Sequence, residues 1–430
     1  MNEPLPREAE YVQFFRVANG KTDDNNFRPY PYQVRLALGD PLPQLIDVPT
    51  GLGKTAAVIL AWLWRRRRAK PAIQNATPRR LIYCLPMRTL VEQTERAAKQ
   101  WLKNLGLENE IAVHALMGGR EAEAWDTEPQ RDAILIGTQD MLLSRALNRG
   151  YAMSRYRWPI HFALLNNDCL WLIDETQLMG VGLTTTAQMQ GLRAKLGAYG
   201  AAQTLWMSAT LDPSQLTTFD HRPANGGFAV YGLTEADYDN AYVVRLIEAR
   251  KPLQPAAVSL TSDTDKDYSK TLAKTILAGH EPGTLTLVVL NRVARAQAVF
   301  SDLEEATAQN NNRPDVKLIH SRFRPIDRSH HQAEALDDAN LPPPGRIVVA
   351  TQAIEAGVDI SARTLFTELA PWPSLVQRFG RCNRRGEWGH SGKPDAAIFW
   401  IDIETGDGKR AKDMVLPYDA DELAGAREHL

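Results

Sequence analysis

Cysteine is scarce in this chain. The 430 residues include three, Cys84, Cys169 and Cys382, widely separated and without a C-x-x-C pair. Neither a disulfide framework nor a cysteine zinc site is expected, and a reducing cytoplasmic setting fits. Long apolar runs are also missing. The longest, AAVILAWLW (Ala56 to Trp64), falls far short of the ~20 residues that a membrane span needs. Neither sign of charge dominates: 50 Lys and Arg stand against 51 Asp and Glu, for a formal net charge of −1. No global field therefore draws the chain to nucleic acid or to a membrane, and any polyanion site has to be a local patch. The amino-terminal MNEPLPREAE is acidic and proline-bearing, unlike a signal peptide. Fixed-period repeats and low-complexity tracts are absent.

What is present is the composition of a folded globular protein, 44% hydrophobic and 23% charged, long enough for two or three domains at roughly 150 residues each. Short β-branched apolar runs recur: QLIDV, RLIYCL, IAVHAL, AILIGT, CLWLID and QTLWMS. Amphipathic stretches such as Thr89 to Leu105 and Thr184 to Leu196 separate them. Near-continuous apolar strands alternating with helices indicate a parallel sheet covered on both faces. The pattern stops near Leu211, gives way to loop-rich sequence around one apolar stretch, AYVVRLI, and resumes with TLTLVVL, VKLIH, RIVVAT, TLFTEL and AAIFWI. The expected organisation is an amino-terminal extension (1–28), a first α/β domain (29–225), a polar connector (226–255), a second α/β domain (256–405) and a tail or the start of a further region (406–430).

LIDVPTGLGKT (Leu45 to Thr55) reads as a strand, a glycine-rich turn and a helix beginning near Lys54. Thr50, Gly51 and Gly53 would bring backbone N–H groups around a phosphate at the positive end of that helix. Lys54 would reach the β- and γ-phosphates and Thr55 would ligate Mg²⁺. The pattern G-x-x-x-x-G-K-[ST] is met except at its first glycine, where Val48 stands. At the end of another apolar strand, LWLIDETQLMG places Asp174 to hold the metal and Glu175 to activate the attacking water. QRFGRCNRRG (Gln377 to Gly386) spaces arginines at i, i+3 and i+6, close to one face of a helix. The run Arg65 to Arg68 ends the helix after the glycine-rich turn, where positive charge suits the helix dipole and solvent.

In this order the motifs resemble superfamily 2 helicases. The resemblance implies two tandem RecA-like domains, α/β with parallel sheets flanked by helices, and an ATP cleft between them. It implies ATP and Mg²⁺ as cofactors. Gln33 of RPYPYQ would read adenine, with a nearby aromatic stacking on the base. Gln177 occupies the fourth position of the acid box, where Asp or His is commoner, and with Ser208 and Thr210 of MSAT would couple nucleotide state to domain movement. In ATQAIEAGVDI, Gly357 and Asp359 would face the nucleotide. Gln377 would contact it, and Arg381 and Arg384 would be arginine fingers, while Arg378 and Arg385 would be structural or bind strand. Contacts to the nucleic-acid backbone are implied at Arg88, Thr89, Gly119, Arg120, Thr138 and Gln139 in the first domain. In the second they are implied at Asn291, Arg292, Ser321, Arg322 and Thr351.

LVQRFGRCNRRG and GYAMSRYRWPIHFALLNNDCLWLIDETQLMG are similar to segments of the CRISPR-associated helicase–nuclease of type I interference, especially its type I-G branch, in which the acid box often continues Gln-Leu-Met-Gly. That resemblance covers roughly Pro29 to Asp402. It implies 3′→5′ translocation on single-stranded DNA and recruitment by an RNA-guided surveillance complex. The family also carries an HD nuclease, fused or separate. None of the nine histidines here is followed by Asp, so the nuclease is expected beyond this chain or on another one.

Overall fold

The computed structural model describes residues 6–119, 125–151, 153–208, 213–223, 227–310, 312–320, 334–355, 357–390, 392–406 and 408–430. The chain divides into two compact units, Met1–Val243 and Val244–Leu430.

The sheet of the first unit contains β1 (Leu45–Asp47), β2 (Arg80–Leu85), β3 (Ile111–Leu116), β4 (Asp132–Thr138), β5 (Cys169–Ile173), β6 (Ala202–Ser208) and β7 (Val230–Tyr231), in the spatial order β3-β4-β2-β5-β6-β1-β7. All its pairings are parallel. Every residue of β2, β4 and β5 is buried, which explains their unbroken apolar sequence: helices cover both faces. Burial of each large apolar side chain stabilises the unit by about 1.5–3 kcal/mol. Because the strands are parallel, their carboxyl ends share one edge, where α/β sheets gather ligand-binding loops.

The second unit repeats the design with β8 (Leu253–Pro255), β9 (Leu285–Val289), β10 (Asp315–Ile319), β11 (Arg346–Ala350), β12 (Thr364–Glu368) and β13 (Ala397–Ile401), in the order β10-β11-β9-β12-β13-β8. These pairings are parallel as well. Among the described residues, eleven of the thirteen strands are the apolar runs read from the sequence. The other two, β7 and β8, are short outer strands, too brief to show a periodicity. They take up both ends of the segment read as a connector, and AYVVRLI between them is a helix, Ala241–Ile247.

The segments read as extension and tail are built into the units. Tyr11 and Phe14 of the helix Pro6–Ala18 pack edge-on against Trp64, with ring centroids 5.5 and 5.4 Å apart. Ala411, Met414, Val415, Leu423 and Ala426, on the last two helices, join the same core as Phe366 and Ile401. The Arg65–Arg68 run is also corrected. Arg65 is 4% exposed and binds the Gly39 carbonyl and the Asp40 carboxylate. Arg66 grips both oxygens of Asp132 at 3.0 Å, and Arg67 adds a third contact to it at 3.0 Å. Asp132 opens β4, so Arg66 and Arg67 pin helix to sheet, while Arg68 at the helix end is exposed as read from the sequence. Among the described residues, no helix is long and apolar enough to cross a membrane.

Candidate nucleotide site and strand-facing loops

The glycine-rich turn connects β1 to the helix Lys54–Arg67. Gly53 caps that helix in the left-handed region, with φ 69°, and a Cβ there would come within 3.1 Å of the Gln33 amide nitrogen. A side chain at position 53 would thus be strained and would also displace the neighbour that braces the turn. Gly51 has φ 89°, and Thr50 is exposed in the loop. Buried Val48 stands at the position of the missing glycine, and its carbonyl accepts a 2.7 Å hydrogen bond from Lys54 Nζ.

Gln33 is 2% exposed and engaged at both ends of its amide. Its oxygen accepts the Tyr30 N–H at 2.9 Å, and its nitrogen donates to the carbonyls of Gly53 at 3.2 Å and Leu52 at 3.4 Å. The Tyr32 hydroxyl donates to the Leu52 carbonyl at 2.5 Å. Asp237 completes this brace, accepting from Tyr32 N–H at 2.6 Å and from Arg35 at 2.8 Å. Hydrogen bonds from Arg35, Thr234 and Tyr32 hold its carboxyl below the usual carboxylate range against its own desolvation. Tyr30 stacks on Tyr32 and on Tyr242 with centroids 6.3 Å apart in each case.

Three strands away from β7, at the end of β5, Asp174 is 7% exposed. Its two oxygens accept from the Tyr83 hydroxyl at 2.6 Å and from the Glu175 N–H at 2.8 Å. Desolvation above all, and then the Glu175 charge, push its carboxyl up to about 6; Lys54 and the two hydrogen bonds oppose the rise. A buried carboxylate short of positive charge suits a cation. The Tyr83 hydroxyl also lies 3.3 Å from Thr55 Oγ1, so the two residues assigned to the metal meet across one tyrosine. Asp174, Thr55 and Lys54 therefore fit Mg²⁺ and a nucleotide phosphate.

Glu175 adopts φ 50°, a left-handed conformation that costs a non-glycine residue about 1–2 kcal/mol. The Gln177 amide donates to Glu175 Oε2 at 2.6 Å and accepts from Ser208 Oγ at 3.1 Å. A relay thus runs from the end of β6 to Glu175, the acid beside Asp174. Thr176 is 1% exposed and opens the short 3₁₀ turn Thr176–Leu178. Thr210 lies outside the described residues.

The loops assigned to strand binding in the first unit leave the same sheet edge. Arg88, exposed, and Thr89 open the helix after β2, and the Arg88 guanidinium comes within 3.8 Å of a Cβ built at Gly119. Thr138 ends β4 and is 8% exposed; Gln139 opens the next helix. Arg120, Ser321 and Arg322 lie outside the described residues.

In the second unit, Asn291 is 3% exposed. It receives Arg378 on its side-chain oxygen at 3.0 Å and donates to the Leu369 carbonyl at 2.8 Å. The expected backbone contact at Asn291 is corrected: the residue braces the interior, while its neighbour Arg292 reaches the surface and pairs with Asp413 at 2.7 Å. Thr351 is 2% exposed at the start of a 3₁₀ turn. The arginine motif departs from its helical reading. The helix Trp372–Phe379 ends before Arg381, and Asn383, at φ 45°, bends the chain so that Cys382 bridges to Ala362. Gln377, 7% exposed, remains on the helix. Arg378 is fully buried and bonded to Glu355, Thr367, Asn291 and Tyr418. Arg381, 5% exposed, donates to the carbonyls of Ile354 and Glu355. Arg384 sits nearer the surface and pairs with exposed Asp359 at 2.9 Å, two residues beyond Gly357.

Two family models match. Residues 38–219 match the DEAD/DEAH box helicase, and residues 282–387 match the CRISPR-associated nuclease/helicase Cas3, C-terminal. By these matches the chain resembles a Cas3 helicase core. Among curated relatives, this Cas3-like core is 24% identical over 386 residues to the CRISPR-associated nuclease/helicase Cas3 of Methanothermobacter thermautotrophicus, covering 86% of the chain and 42% of that protein. It is 44% identical over 79 residues to the protein of the same description from Haloferax volcanii, covering 18% and 8%. The structure of T. fusca Cas3 superposes with a TM-score of 0.68 at 20% identity, over 95% of the Cas3-like core and 50% of that chain. The DUF1998 helicase MrfA bound to DNA gives 0.62 at 16%, over 94% and 52%. The Cas3-like core spans about half or less of the length of these proteins, and the structural likenesses establish the tandem RecA-like fold. Tyr83 and Asp237 were not singled out from sequence. Tyr83 left one signal: a hydroxyl in a strand buried on both faces has to find a partner.

Proposed function

We propose that this chain hydrolyses ATP to move 3′→5′ along single-stranded DNA in type I CRISPR interference, in the type I-G branch. It would be recruited in the cytoplasm by an RNA-guided surveillance complex, and the DNA would be cut by an HD nuclease fused beyond this sequence or carried separately. The observation that carries the reading is the cluster at one sheet edge: Lys54 and Thr55 on the glycine-rich turn, Asp174 and Glu175 at the end of β5, and Gln177 bonded back to Ser208.

Lys54 would leave the Val48 carbonyl for the β- and γ-phosphates. Thr55 and Asp174 would hold Mg²⁺, which when bound neutralises charge on the phosphates. Gln177 occupies Glu175 Oε2, so Oε1 would accept the proton of the attacking water. Arg384 would stabilise the charge gathering on the γ-phosphate, and Arg381, held by two backbone carbonyls, would support it. Gly357 and Asp359 would line the same side of the nucleotide. Arg88, Gly119, Thr138 and Arg292 would track the phosphates of the strand, a contact without base preference.

ATP turnover measured with single-stranded DNA, with RNA and with neither tests the proposal. DNA stimulation together with displacement of a strand from a 3′-tailed duplex is the expected result. Stimulation by RNA alone would overturn the DNA assignment, and turnover without displacement would leave a nucleotide-switched scaffold.

A further inference from the structure

Tyr83 lies in the middle strand of the β4-β2-β5 group and is completely buried. Its hydroxyl sits 2.6 Å from Asp174 Oδ2 and 3.3 Å from Thr55 Oγ1, and it has one proton to give. The shorter contact, to a carboxylate, takes that proton. The Tyr83 oxygen is then left as an acceptor for the hydroxyl proton of Thr55. Protons run in one direction, from Thr55 to Tyr83 to Asp174, and each metal-holding oxygen is left with lone pairs free on its other side. Asp174 Oδ1 is fixed independently by the Glu175 N–H at 2.8 Å, so two donors on two oxygens set the plane of the carboxylate.

We propose that Tyr83 is a positioning residue for the divalent cation. It orients the Thr55 hydroxyl and the Asp174 carboxylate together, so that both present acceptors and no donor to Mg²⁺. The inference rests on the nucleotide-site reading above. Partners of this kind around metal-holding carboxylates change metal affinity by about 10–100-fold when removed. Tyr83→Phe deletes one oxygen and keeps the buried ring.

The experiment is binding of a fluorescent non-hydrolysable ATP analogue, titrated with Mg²⁺ and repeated in EDTA, alongside thermal unfolding. Tyr83→Phe is expected to raise the half-saturating Mg²⁺ at least about tenfold. The advantage that Mg²⁺ gives to nucleotide binding should shrink while binding in EDTA stays near the original. An unchanged Mg²⁺ requirement would overturn the inference. So would an equal loss of binding with and without Mg²⁺, which marks Tyr83 as a packing residue only. If the unsubstituted chain gains nothing from Mg²⁺, the nucleotide-site reading fails, whatever Tyr83 does.

Discussion

Arg378 and Arg384 belong to one short motif, and the structure separates their roles sharply enough to test. Arg378 is 0% exposed. Its guanidinium donates to Glu355 at 2.8 Å, to Thr367 and the Glu368 carbonyl at 3.0 Å, to Asn291 at 3.0 Å and to Tyr418 at 3.3 Å. Arg378→Met preserves much of the volume but leaves Glu355, itself 8% exposed, buried without its counter-charge. Removing one partner of such a pair costs about 3–5 kcal/mol. At about 2–4 °C per kcal/mol for a unit of this size, the second unit should melt about 6–20 °C lower. Adding Glu355→Leu removes the stranded carboxylate and should recover part of the loss. Arg384 is different: its partner Asp359 is 74% exposed, a setting in which ion pairs contribute about 0–1 kcal/mol. Arg384→Ala should leave the melting temperature nearly unchanged and lower ATP turnover by about 10³-fold or more. Thermal unfolding by circular dichroism and steady-state ATP hydrolysis read both. An Arg378→Met chain that melts with the original, or an Arg384→Ala chain that turns over normally, would refute the division.

Gln177→Leu removes a donor to the Glu175 carboxylate, a hydrogen bond contributing about 1.5–3 kcal/mol. Turnover should fall about 10–100-fold with nucleotide affinity nearly unchanged, as a stopped-flow binding measurement would show. His161 is 1% exposed beside Asp126 at 3.1 Å; burial first, then Arg145, pull its imidazole down to about 4. The unfolded chain therefore takes up this proton first, and stability present above about pH 6.5 is lost as the pH falls towards 4, by at most about 3 kcal/mol. His161→Gln should flatten the acid side of the melting-temperature profile, and an unchanged profile would count against the buried neutral imidazole.

Much of the fold was legible because its signals are local. A parallel strand buried on both faces has to be apolar along its whole length, and eleven strands announced themselves that way; β7 and β8 cover too few residues to do so. Parts of the site were legible for the same reason. Val48 through Thr55 carry the spacing expected of a phosphate-binding turn, and Asp174 and Glu175 are marked by the strand they end. The arginines were not. At Arg65 to Arg68 the sequence suggested a solvated helix end, but Asp132, 66 positions beyond Arg66, draws Arg66 and Arg67 onto the sheet. At Gln377 to Gly386 the spacing suggested one helical face, but the helix stops at Phe379 and Asn383 turns the chain.

Residue type and spacing within a few positions were enough to mark the side chains suited to a phosphate. Tertiary structure decided which of them are bound to what. Gln177 meets Ser208 across 31 positions, and Tyr83 meets Asp174 across 91. Such partners are set by the order in which strands lie side by side, and a hydrogen bond between neighbouring strands leaves no periodicity in the chain that makes it.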